Sequence, residues 1–223
     1  MPANAVIDDP DSRAATNRLL AGLRAGRWRP SAWARFLARA CQRSARQAQL
    51  RPRAFTEATL LHCVLLTTAP RSGRRWIATS WALSVTHLGM LGPRRSLGAP
   101  NVLTLVRANL PASGRRLGRW VGVVALATDL LDGHLARATD STTSFGAAAD
   151  SLADAAFWTW YSLHQEPRTG LRVAALTVWA APVVAVTAAS MRQGRIIDPP
   201  RPAVIRPAAA MQAIITLRAL RRR

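Results

Sequence analysis

The residues best suited to chemistry are four aspartates in two pairs. Asp129 and Asp132 are three residues apart, and Asp150 and Asp154 are four apart, in a chain with only 11 acidic residues. Residues at these spacings share one face of a helix. A short turn between Gly133 and Phe145 would let the two faces oppose each other. The spacing therefore predicts four carboxylates converging on one pocket.

Such a cluster within apolar helices is strongly unfavourable unless a cation neutralises it. Carboxylate oxygens are hard ligands that suit Mg²⁺, Mn²⁺ or Ca²⁺, and no cluster of Cys or His favours zinc. Two such ions can bind a pyrophosphate and stabilise the charge of a phosphoryl-transfer transition state. An isolated aspartate at a helix end is usually a cap, but two pairs at helical spacing favour a metal site.

These aspartates lie within a longer pattern that resembles the signature of the CDP-alcohol phosphotransferase family, D-x2-D-G-x2-A-R-x8-G-x3-D-x3-D. The match has no gap and comprises Asp129, Asp132, Gly133, Ala136, Arg137, Gly146, Asp150 and Asp154. Residues 100–107, PNVLTLVR, are similar to the P-N-x-x-T-x-x-R sequence that opens the first core helix of members. The resemblance covers roughly residues 99–192.

The resemblance implies a role for each matched residue. Asp129, Asp132 and Asp150 would bind metal, and Asp154 would be both a ligand and the base that accepts a proton from the acceptor hydroxyl. The other matched residues would form the nucleotide site: Gly133, Ala136, Arg137 and Gly146 of the signature, and Asn101, Thr104 and Arg107 upstream. Arg107 and Arg137 are the expected partners of the phosphates.

The resemblance also implies the reaction and its components. The substrates would be a CDP-alcohol such as CDP-diacylglycerol and a small hydroxyl acceptor, with release of CMP, in phospholipid or related biosynthesis. The cofactor would be Mg²⁺ or Mn²⁺, as two ions, and the enzyme would be a homodimer. Glycerol phosphate, inositol phosphate and serine are acceptors compatible with this signature, and the sequence does not choose among them.

The elements that must position these residues are apolar and rich in alanine, which predicts an all-α fold. Apolar segments occur at 56–69, 76–92, 99–112, 117–132, 146–163, 169–190 and 204–219. A membrane helix needs about 20 residues, with a lower limit near 17. The segments at 76–92, 117–132, 146–163 and 169–190 are the strongest candidates. We therefore expect a polytopic membrane helix bundle with about five to seven membrane helices.

The first 55 residues differ from the rest and predict a basic extension before the membrane-embedded domain of residues 56–223. Apolar residues recur there at helical spacing between arginines: Trp33, Phe36, Leu37 and Ala40 alternate with Arg35, Arg39 and Arg43. Such a helix can lie in the membrane interface with its aromatic residues inward and its arginines outward. The same pattern also fits a soluble helix that covers another helix.

Net charge alone allows a different function. The chain carries +20, and all 31 of its basic residues are arginine. This exclusive use of arginine is typical of a GC-rich genome, so the charge is weak support for a nucleic-acid binder, and no nucleic-acid partner is expected. A basic chain also suits anionic lipid. We expect an integral protein of a bacterial plasma membrane, with the active site facing the cytoplasm.

A third interpretation is a membrane protein of the same fold that has lost turnover and acts structurally or through a partner. The shortness of the first core segment supports it, because only 22 residues separate Arg107 from Asp129 and this interval contains Pro111 and Gly114. The intact aspartates favour the enzyme. Release of CMP from a CDP-alcohol separates these two functions, and solubility without detergent identifies the nucleic-acid binder.

Overall fold

The protein is built from α-helices joined by short connections. The computed structural model describes residues 6–197 and 201–221, with the backbone alone for residues 114, 115 and 201–207. Within these ranges there is no strand, and the helices are α1 (Ser12–Ala25), α2 (Pro30–Leu50), α3 (Pro52–Thr68), α4 (Arg74–Thr86), α5 (Gly98–Leu117), α6 (Val121–Ala138), α7 (Ser144–Gln165), α8 (Thr169–Gln193) and α9 (Arg201–Arg221). The prediction of an all-α fold is confirmed.

Local sequence explains where several helices begin and end. The Asp11 carboxylate accepts hydrogen bonds from the backbone N–H groups of Arg13 and Ala14 and so caps α1. Pro30 and Pro52 occupy the first positions of α2 and α3, where a missing N–H costs nothing. The α8 helix is terminated by Gly194, the residue after its last turn, whose φ of 68° is a left-handed conformation that glycine adopts without strain.

Among the described residues, two large apolar clusters and a smaller third one between α4 and α5 hold the helices together. One cluster joins α6, α7, α8 and α9 through buried side chains that include Val121, Phe157, Tyr161, Trp179 and Ile215. The other joins α3 and the segment before α5 to the start of α7 and includes Ala54, Leu97, Leu105 and Phe145. Helix α5 packs on both α6 and α7, the two helices that carry the aspartate signature, and is therefore the central element between them.

The signature residues lie toward one end of this bundle, where α5 begins, α6 ends and α7 begins. We call it the signature end. The loop before α5 is attached there, because the Arg94 side chain donates to the Asp140 carbonyl at 2.6 Å and the Leu97 N–H donates to Glu57 at 2.8 Å. The N-terminal helix also lies at this end, since Arg24 donates to the carbonyl of Gln193 at the end of α8.

The basic N-terminal extension consists of two helices, α1 and α2, separated by a break at which Arg27 and Trp28 have positive φ. Arg35 and Arg39 are exposed as expected, but Leu37 is exposed as well. Arg43 is buried, which corrects the expectation that it points outward. Its guanidinium donates to the carbonyl oxygens of Val6 at 2.9 Å and Asp9 at 2.7 Å. This arginine fastens the N-terminal segment to α2.

The helix boundaries differ from the predicted apolar segments in three places. The segment 76–92 is an α-helix only to Thr86 and continues as a 3-10 turn at Leu88–Leu91. The first core segment runs past Pro111 to Leu117 instead of ending near residue 112. Helix α6 continues to Ala138 instead of ending at Asp132. Among the described helices, α8 is the one both long and apolar enough to cross a membrane.

Candidate active site

The candidate site lies between three helices, with α5 supplying one wall and α6 and α7 the others. Because α6 runs to Ala138, the connection between the signature helices is only residues 139–143, shorter than the predicted turn from Gly133 to Phe145. Thr143 caps α7 by accepting a hydrogen bond from the Gly146 N–H at 2.9 Å. The two aspartate pairs therefore sit on adjacent antiparallel helices that face α5.

Arg107 lies at the centre of the four aspartates. Its side chain is fully buried, and its guanidinium reaches Asp129 Oδ1 at 3.0 Å, Asp132 Oδ2 at 2.9 Å and Asp154 Oδ1 at 3.2 Å. It also donates a hydrogen bond to Asp150. A buried arginine is unfavourable without such partners. The predicted convergence of four carboxylates therefore occurs around one cation of the chain itself.

Asp132 is the most firmly held of the four carboxylates. The Thr104 hydroxyl donates to Asp132 Oδ2 at 2.7 Å, and Arg107 donates to the same oxygen. Its side chain is 7% exposed, whereas those of Asp129 and Asp150 are 36% and 45% exposed. The site thus has a fixed inner carboxylate and two outer carboxylates that an external ligand can reach.

The donor set fits a hard divalent cation. Oxygen atoms of Asp129, Asp132 and Asp150 lie within 4.8 Å of one another. Asp154 lies outside this group of three, but its Oδ1 is buried without a hydrogen-bond partner, because the contact with Arg107 Nε lacks hydrogen-bond geometry. Arg107 therefore supplies a charge but no hydrogen bond to this oxygen, which leaves it able to accept a further ligand. The chemistry of these oxygens matches Mg²⁺ or Mn²⁺.

Gly146 allows α7 to approach α5 closely. A Cβ at this position would lie 2.6 Å from Asn101 Oδ1, which is closer than side-chain atoms pack. Asn101 is itself fixed, because it is buried and its Nδ2 donates to the Leu97 carbonyl at 2.6 Å. The two residues predicted to belong to the nucleotide site are thus in contact with each other.

The remaining signature residues, Gly133, Ala136 and Arg137, lie on the last turns of α6. Arg137 is exposed, and its guanidinium lies along Gly133, where a Cβ would be 3.3 Å from Nη1. Within the described part of the chain Arg137 makes no ion pair, unlike Arg107. Of the two arginines expected to meet phosphates, Arg137 is therefore the accessible one.

The interpretation of the sequence missed the pairing of α5 with the aspartates. Thr104 and Arg107 were expected to contact nucleotide, yet both bind carboxylates in this structure. Their three-residue spacing places them on one face of α5, and an arginine within an apolar helix requires an acidic partner. Those two signals together indicate the pairing.

Comparison with known proteins identifies the family. A sequence model described as CDP-alcohol phosphatidyltransferase matches residues 97–219, which is more than half of the 223-residue chain. No curated protein and no solved structure matches the chain. The matched range contains the whole signature and the Asn101, Thr104 and Arg107 face of α5. The chain therefore belongs to the CDP-alcohol phosphatidyltransferase family and is a phosphotransferase enzyme.

Proposed function

We propose that the protein transfers a substituted phosphate, such as a phosphatidyl group, from a CDP-alcohol to a small hydroxyl acceptor and releases CMP. The pathway would be phospholipid or related biosynthesis. One observation carries the proposal: the four signature aspartates meet in one partly open site around Arg107, between α5, α6 and α7, all of which lie within the family match. Family membership supports the general reaction, and the substrates are our inference.

We further propose that Asp129, Asp132, Asp150 and Asp154 hold two divalent ions, Mg²⁺ or Mn²⁺. The three neighbouring carboxylates and the buried Asp154 oxygen without a hydrogen bond support this assignment. Bound there, such ions neutralise charge on a pyrophosphate and on the phosphoryl group during transfer. Arg107 supplies one positive charge to four negative ones, which leaves a net negative site for the ions to occupy.

Asp154 is the proposed general base. Its side chain is 27% exposed, so one face of the carboxylate is accessible to an acceptor while the contact with Arg107 Nε restrains its orientation. In the reaction the acceptor oxygen forms a bond to the phosphorus that carries the alcohol, and the phosphorus–oxygen bond to CMP breaks. The proton of the acceptor hydroxyl passes to Asp154.

The nucleotide would bind along the last turns of α6. Gly133 and Ala136 present little side chain there, which permits close approach of a ligand. The exposed Arg137, which makes no ion pair with the described residues, offers its charge to phosphate. Asn101, Thr104 and Gly146 would shape the pocket from the side of α5. Arg107 would act chiefly by orienting the carboxylates, because all its ion-pair partners in the structure are aspartates.

We propose that the protein is integral to the membrane, with five to seven spans and the signature end in the cytoplasm of a bacterium. Helix α8 supports insertion by its length and apolar composition. Arginines lie at both ends of the bundle, in α1, α2 and residues 92–97 at the signature end and in residues 71–75, 115–119 and 168–172 at the far end, so their distribution does not choose the cytoplasmic side. The cytoplasmic placement of the signature end follows from the family resemblance. A homodimer is a further expectation from the resemblance.

The test is an assay of membranes that contain the protein, with CDP-diacylglycerol and a panel of acceptors including glycerol phosphate, inositol phosphate and serine. We expect CMP release that depends on one acceptor. The matched control is Asp140→Asn, since Asp140 lies in the same acidic stretch but outside the cluster, and asparagine tolerates its φ of 44°. Absence of CMP release with every acceptor and CDP-alcohol would contradict the proposal.

A further inference from the structure

A second cavity lies outside the aspartate site, in a groove between α4, α5 and α7. Its volume is about 440 Å³, within the range of small-molecule sites. Leu83 and Leu152 form part of its lining and are half exposed, so the groove opens to the surroundings of the bundle. None of the four aspartates, and neither Arg107 nor Arg137, lines it.

The groove is separated from the aspartates by α7 itself. Successive residues of an α-helix are rotated by about 100°, so Leu152 and Ala156, each two residues from Asp154, point to the other side of α7. Both line the groove, whereas Asp150 and Asp154 face α5 and α6. A ligand in this groove would therefore not occupy the proposed CDP-alcohol site.

The hydroxyl groups along the groove already have partners within the protein. Thr79 Oγ1 donates to the Arg75 carbonyl at 3.0 Å, and Ser84 Oγ donates to the Ser80 carbonyl at 2.8 Å. Ser80 Oγ lies 3.1 Å from His62 Nε2 and accepts from Asn109 Nδ2 at 2.9 Å. The main cost of covering a polar group is the loss of its hydrogen bonds to water. Because these hydroxyls are already bonded within the protein, an apolar occupant would leave none of them unsatisfied.

The shape and charge of the groove indicate the occupant. The lining follows α4 from Arg75 to His87, twelve residues or about 18 Å of helix, which is a length suited to an extended acyl chain. Arg75 lies at the end of α4 far from the signature end, with Arg71 and Arg74 beside it. Trp76, next to Arg75, donates to the Ala108 carbonyl at 2.8 Å, as expected for an aromatic anchor near a membrane interface.

We propose that this groove binds an acyl chain of an anionic membrane lipid, with the lipid phosphate beside Arg75. The proposal rests on the membrane placement in the proposed function but goes beyond its chemistry. Because Arg75 lies at the end opposite the aspartate site, the lipid belongs to the other leaflet and is not the CDP-alcohol. It would complete the surface between α4 and α7 as a bound structural lipid.

The experiment compares two substitutions on the same helix. Thr79→Trp fills the groove, and Ala82→Trp adds the same side chain at an exposed position of α4 outside the lining. Purified, delipidated protein is titrated with palmitoyl-oleoyl phosphatidylglycerol and the bound lipid is counted by native mass spectrometry. Filling a site with a bulky side chain should lower the affinity of the most tightly bound lipid by roughly tenfold or more. Ala82→Trp should bind as the wild type does.

A charge variant tests the position of the headgroup. Arg75→Gln should weaken the binding of phosphatidylglycerol by about fivefold, the contribution of one arginine near anionic lipid. It should weaken the binding of phosphatidylcholine by less, because the choline cation of that lipid offsets the phosphate charge. Ala148→Leu, on the α7 wall, fills the groove more gently and serves if Thr79→Trp does not yield folded protein. It should also lower the affinity for the lipid. Ala148→Leu on α7 and Thr79→Trp on α4 thus test the same groove from different helices.

The proposal is overturned if the groove-filling variants bind the lipid as tightly as the wild type, or if Ala82→Trp loses it equally. It is also overturned if Thr79→Trp separates a dimer without changing the bound lipid, since the groove would then be a contact between copies. CMP release measured on the same samples distinguishes the two proposals. Its absence from wild type contradicts the proposed function and leaves the lipid result standing.

Discussion

At the scale of single residues, the site combines one buried guanidinium with four carboxylates of unequal exposure. Asp132 is held by both Thr104 and Arg107, while Asp129 and Asp150 are open enough to meet a ligand. Asp154 has one buried oxygen with an ion-pair contact but no hydrogen bond. The four aspartates are chemically the same residue, and their different surroundings are the basis for the different roles that we propose for them.

Asp154→Asn tests the proposed general base. Asparagine keeps the size and one oxygen but loses the charge and the basicity, so transfer should fall by about 10² to 10⁴. Binding of CDP-alcohol should remain measurable, because the base acts on the acceptor. The measurement is CMP release and nucleotide affinity at saturating metal, with Asp140→Asn as the control. Transfer near the wild-type rate would remove Asp154 from this role.

Asp129→Asn and Asp132→Asn should behave differently. Each removes a charge from the group of neighbouring ligand oxygens, so metal-dependent binding of the nucleotide itself should weaken. Equilibrium binding of a CDP-alcohol across a series of Mg²⁺ concentrations measures this. If both variants bind with the wild-type metal dependence, the cluster does not hold the metal.

Arg107→Gln tests the neutralising role of the guanidinium. Four carboxylates would be left without their buried partner, and breaking a buried ion pair typically costs about 3–5 kcal/mol of stability. The melting temperature in chelator should therefore fall, and Mg²⁺ should recover more of it than in the wild type, because the cation replaces the lost charge. Equal metal stabilisation of both proteins would contradict this account.

The clustering of the four aspartates could be predicted from the sequence, because fixed spacings on helices determine which side chains share a face. The signature and its resemblance to the family indicated Asp129 through Asp154 as one cluster, and the structure brings all four to Arg107. The hydrogen-bond and ion-pair partners of each carboxylate could not be predicted in the same way. They depend on how α5 packs against α6 and α7, and spacing within one helix carries no information on that packing.

At the scale of elements, the approach of α5 to α7 is the contact on which the site geometry depends. Gly146 has room for no side chain, because a Cβ would meet Asn101 Oδ1 at 2.6 Å and Thr143 Oγ1 at 3.3 Å. Both neighbours are engaged in hydrogen bonds, so neither can move freely. This contact fixes the start of α7 against α5 and so determines where Asp150 lies.

Gly146→Ala should therefore reduce both stability and activity. Overpacking of this kind typically costs about 1–3 kcal/mol and shifts the backbone, which would move Asp150 relative to Arg107. The control is Gly22→Ala in α1, where a Cβ meets nothing within 4 Å and alanine should stabilise the helix. Melting temperature and CMP release measure both variants. Equal behaviour of the two would show that the α5–α7 contact is not tight.

The helices themselves could be predicted from apolar composition, but several ends could not. Gly133 indicated a turn, yet α6 continues through it to Ala138, because a single helical glycine costs only about 1 kcal/mol and packing against α5 can offset that. Pro111 likewise indicated an end, and α5 continues to Leu117. We infer that tertiary contacts extend both helices beyond the residues at which Pro111 and Gly133 predicted an end.

At the scale of the whole molecule, the bundle has arginine-rich ends and an apolar body. The basic helices α1 and α2 lie at the signature end, and α8 is the described helix most suited to crossing a membrane. The other helices are shorter or less apolar, so the number of spans could not be settled by composition. Membrane insertion is therefore a prediction about the bundle and not about each helix.

The fractionation of the protein tests this placement. It should remain with membranes after washing with high salt and with alkaline carbonate. Salt screens attraction between arginines and anionic lipid, whereas buried apolar helices are not released by it. The measurement is immunodetection in pellet and supernatant after each wash. Recovery in the supernatant at high salt would contradict an integral protein and favour peripheral binding through α1 and α2.

The most direct test of the central claim is metal-dependent release of CMP by purified protein. The protein is incubated with CDP-diacylglycerol and its acceptor, first after exhaustive chelation and then with Mg²⁺ or Mn²⁺ restored. We predict no CMP in chelator, full release after metal is restored, and little recovery for Asp129→Asn at the same metal concentration. Undiminished CMP release after chelation would contradict the claim that the aspartates around Arg107 act through bound divalent ions.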